Sequence, residues 1–205
     1  MLSRIGNRPH LVALVLLCLM LAVGGLHAQV LLPLPPRQPG APTGSQFVAQ
    51  ITSLSLADRE AAIKAQFAAG NVPDFLRTLK PVTANATING TPRSITYHVT
   101  PDYISIGTND DYFRTPMTPT LGQQLADIVD GSLPTRKMVN DIWTASGLKL
   151  APLTIPPSGA MTTVPVMNDH NTMLTNQRTP TLASFPHGTL IGGTKKDVVI
   201  TNELG

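Results

Sequence analysis

The densest set of chemically capable side chains in this sequence is Asp102, Asp110, Asp111 and Arg114. Neighbouring carboxylates can bind a cation, or divide acid and base roles when their surroundings differ. Asn109-Asp110-Asp111 does not have the spacing of a calcium loop. Asp and Asn are also ordinary turn formers, so the plainer reading is turns, caps and one Asp–Arg pair. His98, His170 and His187 can titrate near neutrality. None of them stands in HxH or HExxH spacing, and no metal set is read from them. Asp169-His170 is the pair to test first. A hydrolytic site would be built from His170 with Asp102 or Asp111 as its catalytic set.

Candidate binding residues are Arg114, Lys196 and Asp197. Lys195-Lys196-Asp197 could contact an anion, although a charged hairpin tip that discourages edge pairing uses the same residues. The sequence holds no GxSxG elbow, SxxK pair, GxGxxG or GxxxxGK[ST] run. Nucleotide binding therefore has no support, and no cofactor is expected.

The elements that position these residues begin after an N-terminal leader. Residues 1–10 carry Arg4 and Arg8 and no acid. Residues 11–23 are almost unbroken apolar, and Gly24-Gly25 and Ala28 follow. A basic end, a short apolar core and a small residue before the cut describe a secretory signal peptide. The apolar run falls short of the roughly 20 residues that a spanning helix needs. The only membrane contact expected is this transient one, and the expected location is secreted or periplasmic. Cleavage after Ala28 leaves 177 residues, enough for one domain with a core. It also leaves 13 basic against 12 acidic residues, a net charge of +1, which gives no electrostatic footprint for nucleic acid. Cys18, the only cysteine, leaves with the leader, so disulfides and thiol chemistry drop out.

Residues 29–46 form a proline-rich stretch, read as an extended, solvated linker. A single α+β domain is expected over residues 47–205. Ser55 caps a helix that runs to Ala69, with Gly70 at its exit. Asn71 and Pro73 open a second short helix, which buries Phe75, Leu76 and Leu79. From Val82 the apolar period becomes two. Asn89-Gly90 then supplies the two positive-φ residues of a hairpin turn, with a return strand through Ile95, Tyr97 and Val99. Residues 103–106 are expected as a third strand of the same meander. Thr118-Pro119 opens another helix, and residues 132–135 start one whose apolar stripe is Met138, Val139, Ile142 and Trp143. Residues 151–166 read as a surface loop and residues 168–176 as one or two helical turns. Residues 189–191 and 197–201 read as strands.

Four stretches carry a resemblance: FAAGNVPDFLRTLKPV (67–82), TYHVTPDYISIGTNDDYFRTPMTP (96–119), SLPTRKMVNDIW (132–143) and GGTKKDVVITN (192–202). They resemble an uncharacterised family of exported bacterial proteins. The resemblance implies export and no nameable activity. It also implies further strands beyond the last stretch, which would make this chain truncated at its C-terminus. Where the family has a histidine before the lysine pair, this chain has Thr194.

The expected fold is α+β and loop-rich, a small antiparallel sheet packed by two helical hairpins. Two functions fit an exported domain of this kind. One is a non-catalytic binding or scaffolding protein acting on an envelope partner or polymer. The other is an envelope hydrolase acting on peptidoglycan, glycan or peptide. A hydrogen bond between His170 and an aspartate would favour the second, and an exposed apolar patch the first.

Overall fold

The computed structural model describes residues 29–193. The leader over 1–28, the candidate binding residues Lys196 and Asp197, and the strand expected over 197–201 lie outside the described residues. The fold is α+β. Among the described residues the helices are α1 (Gly44–Ile51), α2 (Leu56–Ala68), α3 (Pro119–Ile128), α4 (Arg136–Ala145) and α5 (Val164–Arg178). The strands are β1 (Lys80–Ile88), β2 (Thr91–Val99), β3 (Ser105–Gly107), β4 (Tyr112–Arg114), β5 (Leu148–Lys149) and β6 (Ile191–Gly192). None of these helices is long and apolar enough to cross a membrane.

Three of the helices that start on a side-chain cap stand where the sequence puts them. The hydroxyl of Ser55 accepts the Asp58 amide at 3.2 Å, that of Thr118 the Leu121 amide at 3.2 Å, and that of Thr135 the Met138 amide at 3.3 Å. Each satisfies one of the free N–H groups of a first turn. The β1–β2 hairpin also forms in the expected register, with Ile88 opposite Thr91 and Val82 opposite Tyr97. Its turn residues Asn89 (φ 51°) and Gly90 (φ 76°) both lie in the left-handed region, as a tight two-residue hairpin requires.

The single sheet does not form. Residues 105–107 pair with Tyr112–Arg114 and not with the hairpin. A short parallel pair joins β5 to β6. Each sheet has two strands. The reason is the 100–104 connection: Pro101 and Asp102 are buried, and they carry the chain away from the hairpin edge. The two helical hairpins are corrected as well. The helix expected after Asn71 is one 3₁₀ turn, Asp74–Leu76. Helices α3 and α4 separate, α3 packing on α2 and α4 on β1 and β6.

Two cores result. The larger joins Leu32, Phe47, Ile63, Phe67, Ile106, Phe113, Leu121, Leu125 and Val164. Each fully buried side chain of this size contributes roughly 1.5–3 kcal/mol. The smaller, at the base of the hairpin, joins Val82, Ile142 and Leu190 and packs Tyr97 and Val99 against it.

The proline-rich stretch is part of the fold, which corrects the linker expectation. Leu32 is buried in the larger core. Its amide donates to the Arg77 carbonyl at 2.7 Å, and the Leu79 amide donates to the Val30 carbonyl at 2.9 Å. Leu31 bridges Thr78. Further along, Arg37 Nε donates to Asn71 Oδ1 at 2.7 Å. Gly70 (φ 73°) passes so close to Pro35 that a Cβ would collide with the Pro35 carbonyl. The segment then enters α1 through a capping box. Thr43 accepts the Gln46 amide, and the Gln46 side chain accepts the Thr43 amide.

Candidate functional site

Asp102 and Arg114 come together, and both are buried, at 7 % and 8 % exposure. Strand β4 carries Arg114 inward beside Phe113, while the turn before β3 presents Asp102. The guanidinium donates from Nε and Nη2 to Asp102 Oδ2 at 3.3 and 3.2 Å. It also donates to the Tyr112 hydroxyl at 3.0 Å, to Asn171 Oδ1 at 3.2 Å and to Thr175 Oγ1 at 3.3 Å. Asn171 holds the same strand by its backbone, accepting the Arg114 amide and donating to the Tyr112 carbonyl. The second oxygen of Asp102 accepts the Tyr103 amide at 2.7 Å. A guanidinium with its fork so engaged is a cross-link between β4, α5 and the 101–103 turn. An anionic substrate would have to displace these partners to reach it.

The other candidate residues are used one at a time. Asp111 Oδ1 accepts both the amide and the hydroxyl of Ser45 at 2.9 Å. It therefore caps the first turn of α1 from across the molecule, where a negative charge meets the positive end of the helix dipole. Asp111→Ala should cost about 0.5–2 kcal/mol, the range of a lost helix cap, read as a lower denaturation midpoint. His170 Nε2 lies 3.1 Å from the Leu153 carbonyl. Neither Asp102 nor Asp111 is hydrogen-bonded to it among the described residues. Asp169 and His98 are exposed. No group of three His, Cys, Asp or Glu residues is placed to hold a metal ion among the described residues.

The sequence reading missed the surroundings of His187. Its ring stacks on Phe75, with centroids 4.7 Å apart and planes 15° apart, and meets the Tyr112 ring edge-on at 6.0 Å. Phe75 and Tyr112 also meet edge-on, at 5.2 Å. Arg178, only 2 % exposed, closes the loop that carries His187. Its guanidinium donates to Thr181 and to the carbonyls of Phe185 and Pro186. Arg178 Nε is buried without a partner among the described residues, and burial lowers the pKa of the group. Partial burial, and then the charges of Arg178 and Arg114, lower the pKa of His187 below the ordinary histidine value.

A second surface is apolar. The face of the hairpin that buries Val82 continues outward through Ala84, Ile95, Ala86 and Ile88, with Arg93 and Thr91 among them on the same face, by the alternation of a strand. Ile88 is 56 % and Ile95 64 % exposed. From Asn85 to Thr96 every residue of the hairpin is exposed. Trp143, half exposed on the adjoining α4, lies under the Lys149 ammonium at 4.8 Å. A separate groove of about 600 Å³ lies between the N-terminal segment and the β3–β4 loop, with Arg37, Asp74, Arg77 and Asp110 on its walls. Its arginines are engaged with Asn71 and with the carbonyls of Leu34, Pro35 and Gly70.

The chain matches no family model, no curated protein and no solved structure.

Proposed function

We propose that this chain is an exported, non-catalytic binding protein that presents the β1–β2 hairpin to an envelope partner or polymer. Export rests on the leader and on the resemblance of four stretches, 67–82, 96–119, 132–143 and 192–202, to exported bacterial proteins. The observation that carries the binding reading is the distal hairpin, exposed on both faces with two bare isoleucines on one of them. A two-stranded ribbon gains little stability by itself in water. An exposed apolar strand face of this kind is where partners add. The hydrolase alternative draws no support from the polar groups. Asp102 is spent on Arg114, Asp111 on Ser45 and His170 on a backbone carbonyl.

The test is co-sedimentation of the purified protein with the envelope fraction of its host. The Ile88→Thr, Ile95→Thr double variant should stay in the supernatant while the native protein pellets. Both positions are exposed, so the variant should unfold within about 0.5 kcal/mol of the native protein. Equal pelleting of the two would remove the hairpin from the reading. Release of soluble fragments from the envelope, lost in His170→Ala, would replace binding by hydrolysis.

A further inference from the structure

We infer that residues 182–189 form an acid-released latch, held shut by the neutral ring of His187 against Phe75 and Tyr112. The loop runs from the 3₁₀ turn Thr179–Thr181 after α5 to Leu190 and β6. Arg178 grips it from inside through two successive carbonyls, those of Phe185 and Pro186. The next residue, His187, covers Phe75. The Pro186 carbonyl also accepts the amide and hydroxyl of Thr189 at 3.1 and 2.7 Å. One residue later, Leu190 enters the small core beneath the hairpin. Ile191 then donates its amide to the Pro101 carbonyl at 2.9 Å. The latch is therefore continuous with the support of the hairpin.

The charges that act on His187 stand on α5, on β4 and in the turns flanking β3. The Asp74–Leu76 turn, which carries Phe75, adds only Asp74, an exposed carboxylate paired with Arg77. Arg178 stands on α5, and Arg114 and Tyr112 on β4. Asp102 precedes β3, and Asp110 lies in the β3–β4 turn. His187 keeps an exposed face. The partial burial of its ring against Phe75 and Tyr112 is the largest effect, and the two guanidiniums outweigh the carboxylates, so the ring holds a proton less readily in the fold than in water. The unfolded or released loop binds that proton better. The closing contribution of His187 is thus complete above the ordinary histidine pKa of about 6.5 and is lost as pH falls below it. Protonation sets a third cation beside Arg114 and Arg178. Arg114 cannot yield, because Asp102 and Asn171 hold it, whereas the bonds of Arg178 to the Phe185 and Pro186 carbonyls break when the loop leaves. The loop is the part free to move.

The test is amide hydrogen exchange on the full chain from pH 7.5 to pH 5, corrected for the intrinsic pH dependence of exchange. Protection of the Thr189 and Ile191 amides should fall several-fold relative to the α2 amides in the native protein. It should stay level in His187→Phe, which keeps an aromatic ring on Phe75, and in His187→Gln, which cannot take up the proton. Trp143 is the only tryptophan of the chain, and its ring lies against Gly192. Its emission should shift with acid in the native protein and not in the two variants. A native protein whose Thr189 and Ile191 protection does not change with pH would overturn the latch. So would equal acid loss in His187→Phe and His187→Gln.

Discussion

Replacing Arg114 with alanine should destabilise the protein by about 3–5 kcal/mol, the cost of leaving a buried charge without its partner. The pair it breaks is shielded on both sides, with Arg114 and Asp102 side chains each 8 % exposed. Alanine would leave Asp102 with one remaining bond, from the Tyr103 amide. It would also release Asn171 and Thr175 of α5 from β4. Asp102→Asn should cost less, because an amide of the same shape can still accept from the guanidinium. The double variant Arg114→Met, Asp102→Leu should be more stable than Arg114→Ala, since it removes both charges together. Urea denaturation of the four proteins gives the comparison. A loss under about 1 kcal/mol for Arg114→Ala, the value of a solvent-screened pair, would show that water reaches the ion pair and that β4 is not fixed through it.

That expectation separates what was legible in the sequence from what was not. An Asp–Arg pair was readable, because turn residues and a strand-end arginine stand close together along the chain. Its depth was not, because Asn171 and Thr175 come from a helix almost sixty residues further on. Local signals survived folding generally. The caps at Ser55, Thr118 and Thr135 and the Asn89-Gly90 turn each depend on a few neighbouring residues, and each stands where expected. Helix α5 shows the opposite case. It runs fifteen residues with no side-chain N-cap, through a Thr- and Asn-rich sequence of poor intrinsic propensity. What holds it is burial of Val164, Leu174 and Arg178, which only the assembled core reveals. The His187 stack is a long-range contact of the same kind, since Phe75 lies on the far side of the hairpin in sequence. The third strand was misplaced because a three-residue strand such as Ser105–Gly107 has no preference between two neighbours. The buried turn at Pro101-Asp102 decides it.

The proline-rich segment gives the second large effect. Leu32→Ala should cost about 2–5 kcal/mol, the range for emptying a buried leucine site, whereas Leu31→Ala, 58 % exposed, should stay within about 0.5 kcal/mol. Composition alone places both leucines in a solvated linker and assigns neither of them any cost. The physics that composition misses concerns the unfolded chain. Prolines restrict the backbone before folding as well as after it, so laying residues 30–43 against the domain orders less freedom than an ordinary segment would lose. The bonds from Leu32 to Arg77 and from Leu79 to Val30, together with the approach of Pro35 to Gly70, then hold a segment that is already nearly extended. Denaturant titration of the two variants reads the difference directly. Identical midpoints for Leu31→Ala and Leu32→Ala, both at the native value, would return this segment to solvent and move the start of the folded domain to α1.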